Sequence, residues 1–172
     1  MVSTASTMSV PAASGTLAHA QAVLETVGDP ELPFLTIGEM GILRDVRLTG
    51  DALEVVITPT YSGCPAMDII AVDITTALAK AGFVNVRISR ALSPAWTTDW
   101  LTPAARDKLR ANGIAPPERA QGKRALFAES HVTCPACGSK LTERVSEFGS
   151  TPCKAHYRCR ACREPFQYFK CI

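Results

Sequence analysis

No stretch of this 172-residue chain approaches the roughly 20 consecutive apolar residues that a bilayer-spanning helix needs; even the greasiest segment, Met67 to Ala79, contains Asp68 and Asp73. No membrane helix is expected. The first basic residue is Arg44, so the beginning of the chain lacks the positive stretch of a secretory signal, and the cytoplasm is the expected compartment. Clustered basic charge is missing as well. Met1 to Thr75 carries nine acidic and two basic residues and the remainder seven and sixteen, yet Lys123-Arg124 is the only adjacent basic pair, which argues against nucleic acid as a partner. There is no Glu-x-x-His pair for a di-iron centre, no Gly-x-Gly-x-x-Gly for a dinucleotide, no phosphate-binding loop and no internal repeat. A non-enzymatic protein is the expectation.

What is present is a globular composition, 47% hydrophobic and 20% charged, divided unevenly along the chain. Residues 1–15 are small and patternless and read as a disordered tail. From Thr16, Leu17, Ala20, Val23, Leu24 and Val27 recur at helical spacing up to Gly28. Ile42 to Leu48 and Leu53 to Thr58 read as a hairpin about Thr49-Gly50-Asp51, and Pro65 opens a helix to Lys80. Val84 to Arg90 alternates as a half-buried third strand, and Pro103 to Asn112 reads as a short helix capped by Thr102 and stopped by Gly113. The fold class is α+β: a helix-hairpin-helix-strand domain over 16–114, a linker over 115–130 with a Pro-Pro pair, and a β-rich module over 131–172. Trp96 and Trp100 are assigned to core or interdomain packing.

Cysteine usage carries the chemistry. Six of the seven cysteines fall within the last 42 residues, and Cys134-Pro-Ala-Cys137 and Cys159-Arg-Ala-Cys162 form two Cys-x-x-Cys turns separated by 21 residues. A two-residue gap lets one tight turn place both thiolates on a metal, and two such turns complete a tetrahedron, as in a structural zinc ribbon. Iron, or an iron-sulfur cluster on the same four thiolates, stays open on spacing alone. Metal binding would supply much of the folding free energy of so small a module. Cys153 and Cys171 remain over; with His156 they read as buried small side chains, a reversible disulfide or a second metal-handling set. Cys64 stands alone at the start of the second helix, where unpaired N–H groups and the helix dipole are expected to favour a thiolate.

Asp29-Pro-Glu-Leu-Pro33 together with Thr58-Pro-Thr-Tyr-Ser-Gly-Cys-Pro65 resembles the iron-sulfur assembly domain of SufT-like proteins. With Pro94-Ala-Trp-Thr-Thr-Asp-Trp100, Glu147-Phe-Gly-Ser-Thr151, Cys159 to Cys162 and Glu164-Pro-Phe-Gln-Tyr-Phe-Lys-Cys-Ile172, the chain from about Thr16 onward resembles the PaaD family of phenylacetate-degradation accessory proteins. The resemblance implies a role beside the multicomponent phenylacetyl-CoA epoxidase, whose oxygenase holds di-iron and whose reductase holds flavin and a [2Fe-2S] cluster. It implies Cys64 as the ligand or transfer thiol for iron or a transient iron-sulfur cluster, with Asp29, Thr60 and Ser62 shaping its pocket, and zinc in the ribbon. Reductase or oxygenase subunits are the implied partners, and a homodimer stays open; docking of the client is the separate expectation for the ribbon. A purely bridging subunit and a thiol-disulfide redox protein are the alternative roles.

Overall fold

The computed structural model describes residues 13–117 and 132–170. The sequence of residues 1–12, and with it most of the expected tail, lies outside the described residues, but the first helix α1 (Ala13–Leu24) starts three residues ahead of Thr16. It ends before Gly28 because the hydrogen bonds tighten to three-residue spacing, Thr26 N–H to Val23 and Val27 N–H to Leu24 at 3.1 Å each. β1 (Leu43–Thr49) and β2 (Ala52–Ile57) form the expected antiparallel hairpin, turning at Gly50 with φ +65°. α2 (Ala66–Lys80) then crosses over to β3 (Val86–Arg90), which pairs parallel with β2. β2 is therefore central and buried almost continuously, while Met67, Ile70, Ile74 and Leu78 of α2 fall on one buried stripe. The third strand begins two residues later than Val84, which is fully exposed: the Phe83 N–H still bonds Leu78 at the helix exit, and pairing starts only at Val86.

After β3, a turn of 3-10 helix at Thr98–Trp100 leads to α3 (Pro103–Ala111). Thr102 caps it, its hydroxyl accepting the Ala105 N–H at 3.1 Å, and Gly113 stops it at φ +73°. Arg106 is buried in this region and donates to the carbonyls of Thr98, at 2.6 Å, and Pro117. The expected linker does not begin at Ala115. Ile114–Ala115 (β4) is a short strand, and Ala115 is buried; residues 118–131 lie outside the described residues.

β4 pairs parallel with β7 (Pro165–Phe169), which is followed in the sheet by β6 (Lys154–Cys159) and β5 (Thr142–Ser146), giving the order β4-β7-β6-β5. The first domain thus donates an edge strand to the second. Their cores merge too, because Cys153 and Phe169 are buried in the main cluster with Leu35, Ile57 and Ile70. Trp96 makes the join. It is buried, its indole N–H donates to the Met40 carbonyl at 2.9 Å, and its ring meets Phe169 edge-on at 6.1 Å between centroids. Trp100 lies under the Arg44 guanidinium, 3.6 Å from Cζ to the ring centre, and packs so close to Gly41 (φ +69°) that a Cβ there would stand 2.6 Å from its own.

Candidate metal centre and thiol pocket

The four paired cysteines converge on the ribbon. Cys134 and Cys137 sit in the turn ahead of β5, Cys159 ends β6, and Cys162 lies in the turn to β7. Their sulfurs all lie within 4.8 Å of one another, with Cys134 to Cys162 at 3.8 Å and Cys137 to Cys159 at 3.6 Å. A regular tetrahedron with metal–sulfur bonds of about 2.3 Å has edges of about 3.8 Å, so this is a preformed cage for a single metal ion. Backbone N–H groups of Cys162, at 3.5 Å, and Ala161 point at the Cys159 sulfur and hold its thiol down to about 6.

The two turns share one backbone feature. Each second cysteine is followed by a residue in the left-handed region, Gly138 at φ +73° and Arg163 at φ +66°. A side chain at that angle costs about 1 kcal/mol that glycine avoids. Arg163→Gly is accordingly expected to raise the free energy of unfolding by about 1 kcal/mol in denaturant titration of the metal-loaded protein, an increase that an unstrained arginine would not give.

The remaining chemistry is collected in one small cavity between the Asp29–Leu35 turn, the start of α2 and the ribbon. Asp29, Glu31, Thr60, Cys64 and Cys153 supply its polar edge, over a floor that includes Met67 and Phe169. Asp29 is buried and ties the turn together, one carboxylate oxygen accepting the N–H groups of Glu31 and Leu32 at 2.9 Å each. Burial pushes its carboxyl up. Thr60 is buried at the edge; Ser62 is exposed and not among the lining residues. Cys153, buried, sits 3.0 Å from the Thr151 hydroxyl and 3.8 Å from a Glu31 carboxylate oxygen. Cys171 lies outside the described residues, and His156 is exposed on β6.

Cys64 is half-buried at the pocket edge, where the Ala66 N–H and the Tyr61 hydroxyl point at its sulfur. The expected activated thiolate is corrected here. Burial raises the thiol above its usual value, and the carboxylates of Glu31 and Asp29 add to the rise, outweighing the donors at the helix start. Tyr61 is pushed up to about 12, chiefly by burial, and remains a donor. Alkylation of Cys64 by iodoacetamide at about pH 7 should therefore be slower than that of a free cysteine and still be climbing at about pH 9, read by mass spectrometry; a plateau below about pH 8 would contradict this.

Sequence reasoning singled out Cys64, Asp29 and Thr60 but missed Glu31 and Tyr61. Both lie inside the two runs that carried the resemblance, Asp29 to Pro33 and Thr58 to Pro65, which was the available signal. Among the described residues, no helix is long and apolar enough to cross a membrane.

Two family models match successive stretches of the chain. Residues 17–89 match the family model described as iron-sulfur cluster assembly protein, and residues 118–170 match that of the PaaD zinc beta ribbon domain. A protein of Escherichia coli named as a subunit of 1,2-phenylacetyl-CoA epoxidase is 50% identical over 88% of this chain and 90% of its own. An Fe-S protein maturation auxiliary factor of Porphyromonas gingivalis is 31% identical over 48% of this chain and 80% of its own. A crystal structure of a domain of unknown function from Bacillus anthracis superposes with a TM-score of 0.52 at 24% identity, over 56% of this chain and 92% of that one, and shares the fold of the first domain.

Proposed function

Because the chain belongs to the PaaD family, whose Escherichia coli relative is named as a phenylacetyl-CoA epoxidase component, we propose that it is a non-catalytic accessory factor assisting the assembly or delivery of iron or an iron-sulfur cluster for that epoxidase. The observation that carries this reading is the unassembled donor set around Cys64. Thiols and carboxylates from separate elements face one cavity, yet among the described residues only the ribbon cysteines bring three or more metal-ligand atoms within 4.8 Å of one another. A preformed cage holds its ion; a loose set of soft and hard donors binds iron and can give it up.

On this reading the two thiolate sites have different duties. The ribbon cage, with four sulfurs at tetrahedral spacing, fits zinc and keeps it as a structural brace. The Cys64 pocket handles cargo, in the cytoplasm, for a client reductase or oxygenase subunit. In a strain lacking this gene, the reductase is expected to lose most of its [2Fe-2S] absorbance and the epoxidase its activity. Wild type restores both and Cys64→Ser does not. Full restoration by Cys64→Ser would instead favour a bridging subunit whose thiols hold only structural metal.

A further inference from the structure

The ribbon reaches into the pocket with a thiol of its own. Cys153 immediately precedes β6 and is 5% exposed, in the main core together with Phe169 and away from the four-sulfur cage. It lines the same cavity as Cys64; burial pushes the Cys153 thiol up, and the nearby Glu31 and Cys64 add to the rise. Glu31 lies between the two domains' contributions, its carboxylate 3.8 Å from the Cys153 sulfur and its charge felt by Cys64. Lys154, also buried, puts a positive charge beside Cys153 and Asp29.

We infer that Cys153 is the second thiolate of a site for a single ferrous ion, with Cys64 as the first and Glu31 as a carboxylate arm. This rests on the proposed function and narrows its cargo. Size decides the nuclearity. The cavity offers about 10 Å³, room for one water-sized body and too little for a multi-iron cluster. Two sulfurs and a carboxylate mix soft and hard ligands, a set that ferrous iron accepts, and the iron cargo of the proposed function supplies the ion. On entry of the ion both thiol protons leave to solvent. The site exists only while the ribbon is folded against the first domain, so the brace metal and the cargo site are linked through Cys153.

The test is anaerobic titration of ferrous iron alone into the zinc-loaded full chain. Zinc stands above ferrous iron in divalent affinity, so the ribbon is left intact. Iron-edge X-ray absorption of the wild-type protein should show two sulfur neighbours, a measurement needing no substitution; one or none overturns the inference. Cys153→Ser and Cys64→Ser should each weaken ferrous binding by about tenfold or more. Wild-type affinity in Cys153→Ser with loss in Cys64→Ser would overturn the inference and leave the proposed function standing. Unchanged affinity in both would overturn the two together.

Discussion

Cys159→Ala is expected to remove the ribbon's metal and the ribbon's order at once. Cys159 is fully buried, and its thiol is the one the backbone has prepared to be charged, through the N–H groups of Cys162 and Ala161. The ribbon has little else to stand on. Its own apolar cluster is Ala115, Val132, Phe166 and Tyr168 together with two of the metal cysteines, whereas structural zinc contributes an apparent 10–16 kcal/mol, roughly, in comparable small modules. A cluster of that size cannot offset such a loss when whole domains are stable by only about 5–15 kcal/mol. The variant should purify without zinc and be cleaved by protease within 132–170. Residues 17–111 should persist as a folded fragment of lowered melting temperature, because Phe169 and Cys153 leave the main core with the ribbon. A metal-free variant whose ribbon resists protease would contradict this.

Trp96→Ala is expected to lower stability by about 3–5 kcal/mol, the range for deleting a buried aromatic. Three losses coincide at this residue: its core volume, its edge-on contact with Phe169, and the hydrogen bond that satisfies the buried Met40 carbonyl. At roughly 2–4 °C per kcal/mol for a chain of this length, the melting temperature should fall by about 10 °C. Trp96→Phe restores a ring but not the N–H, and should recover only part of the fall. A double-mutant cycle with Phe169→Leu should give a coupling of about 0.5–1.5 kcal/mol across the domain junction, where independent domains would give none.

The elements legible in the sequence were those whose signals are local. Thr102 before Pro103, Gly113 after Asn112 and the spacing of Met67, Ile70, Ile74 and Leu78 all read correctly because capping and helical periodicity depend on a few neighbouring residues. The two Cys-x-x-Cys turns were legible for the same reason. What escaped depends on long-range contact. Two residues of β4 have no periodicity, and their pairing with β7, some 50 positions onward, is dictated by the packing of the two domains. Arg106 looks like one more charge on a surface helix until Thr98 and Pro117 turn their carbonyls toward it. Cys64 was placed correctly at a helix start, but the direction of its shift is set first by burial and then by Glu31 and Asp29, which the fold brings to it from another turn. Cys153 could be counted in the sequence and given three readings; its position opposite Cys64 required the ribbon to be docked.

The central claim is a division of labour between two thiolate sites, one that keeps its metal and one that passes it on. Its most direct measurement is zinc, iron and acid-labile sulfide analysis of wild type and Cys64→Ser, purified anaerobically and then exposed to ferrous iron. The account predicts equal zinc in both, near one ion per chain, with iron taken up by wild type and not by the variant. Equal iron uptake by Cys64→Ser, or zinc lost along with it, would contradict the division.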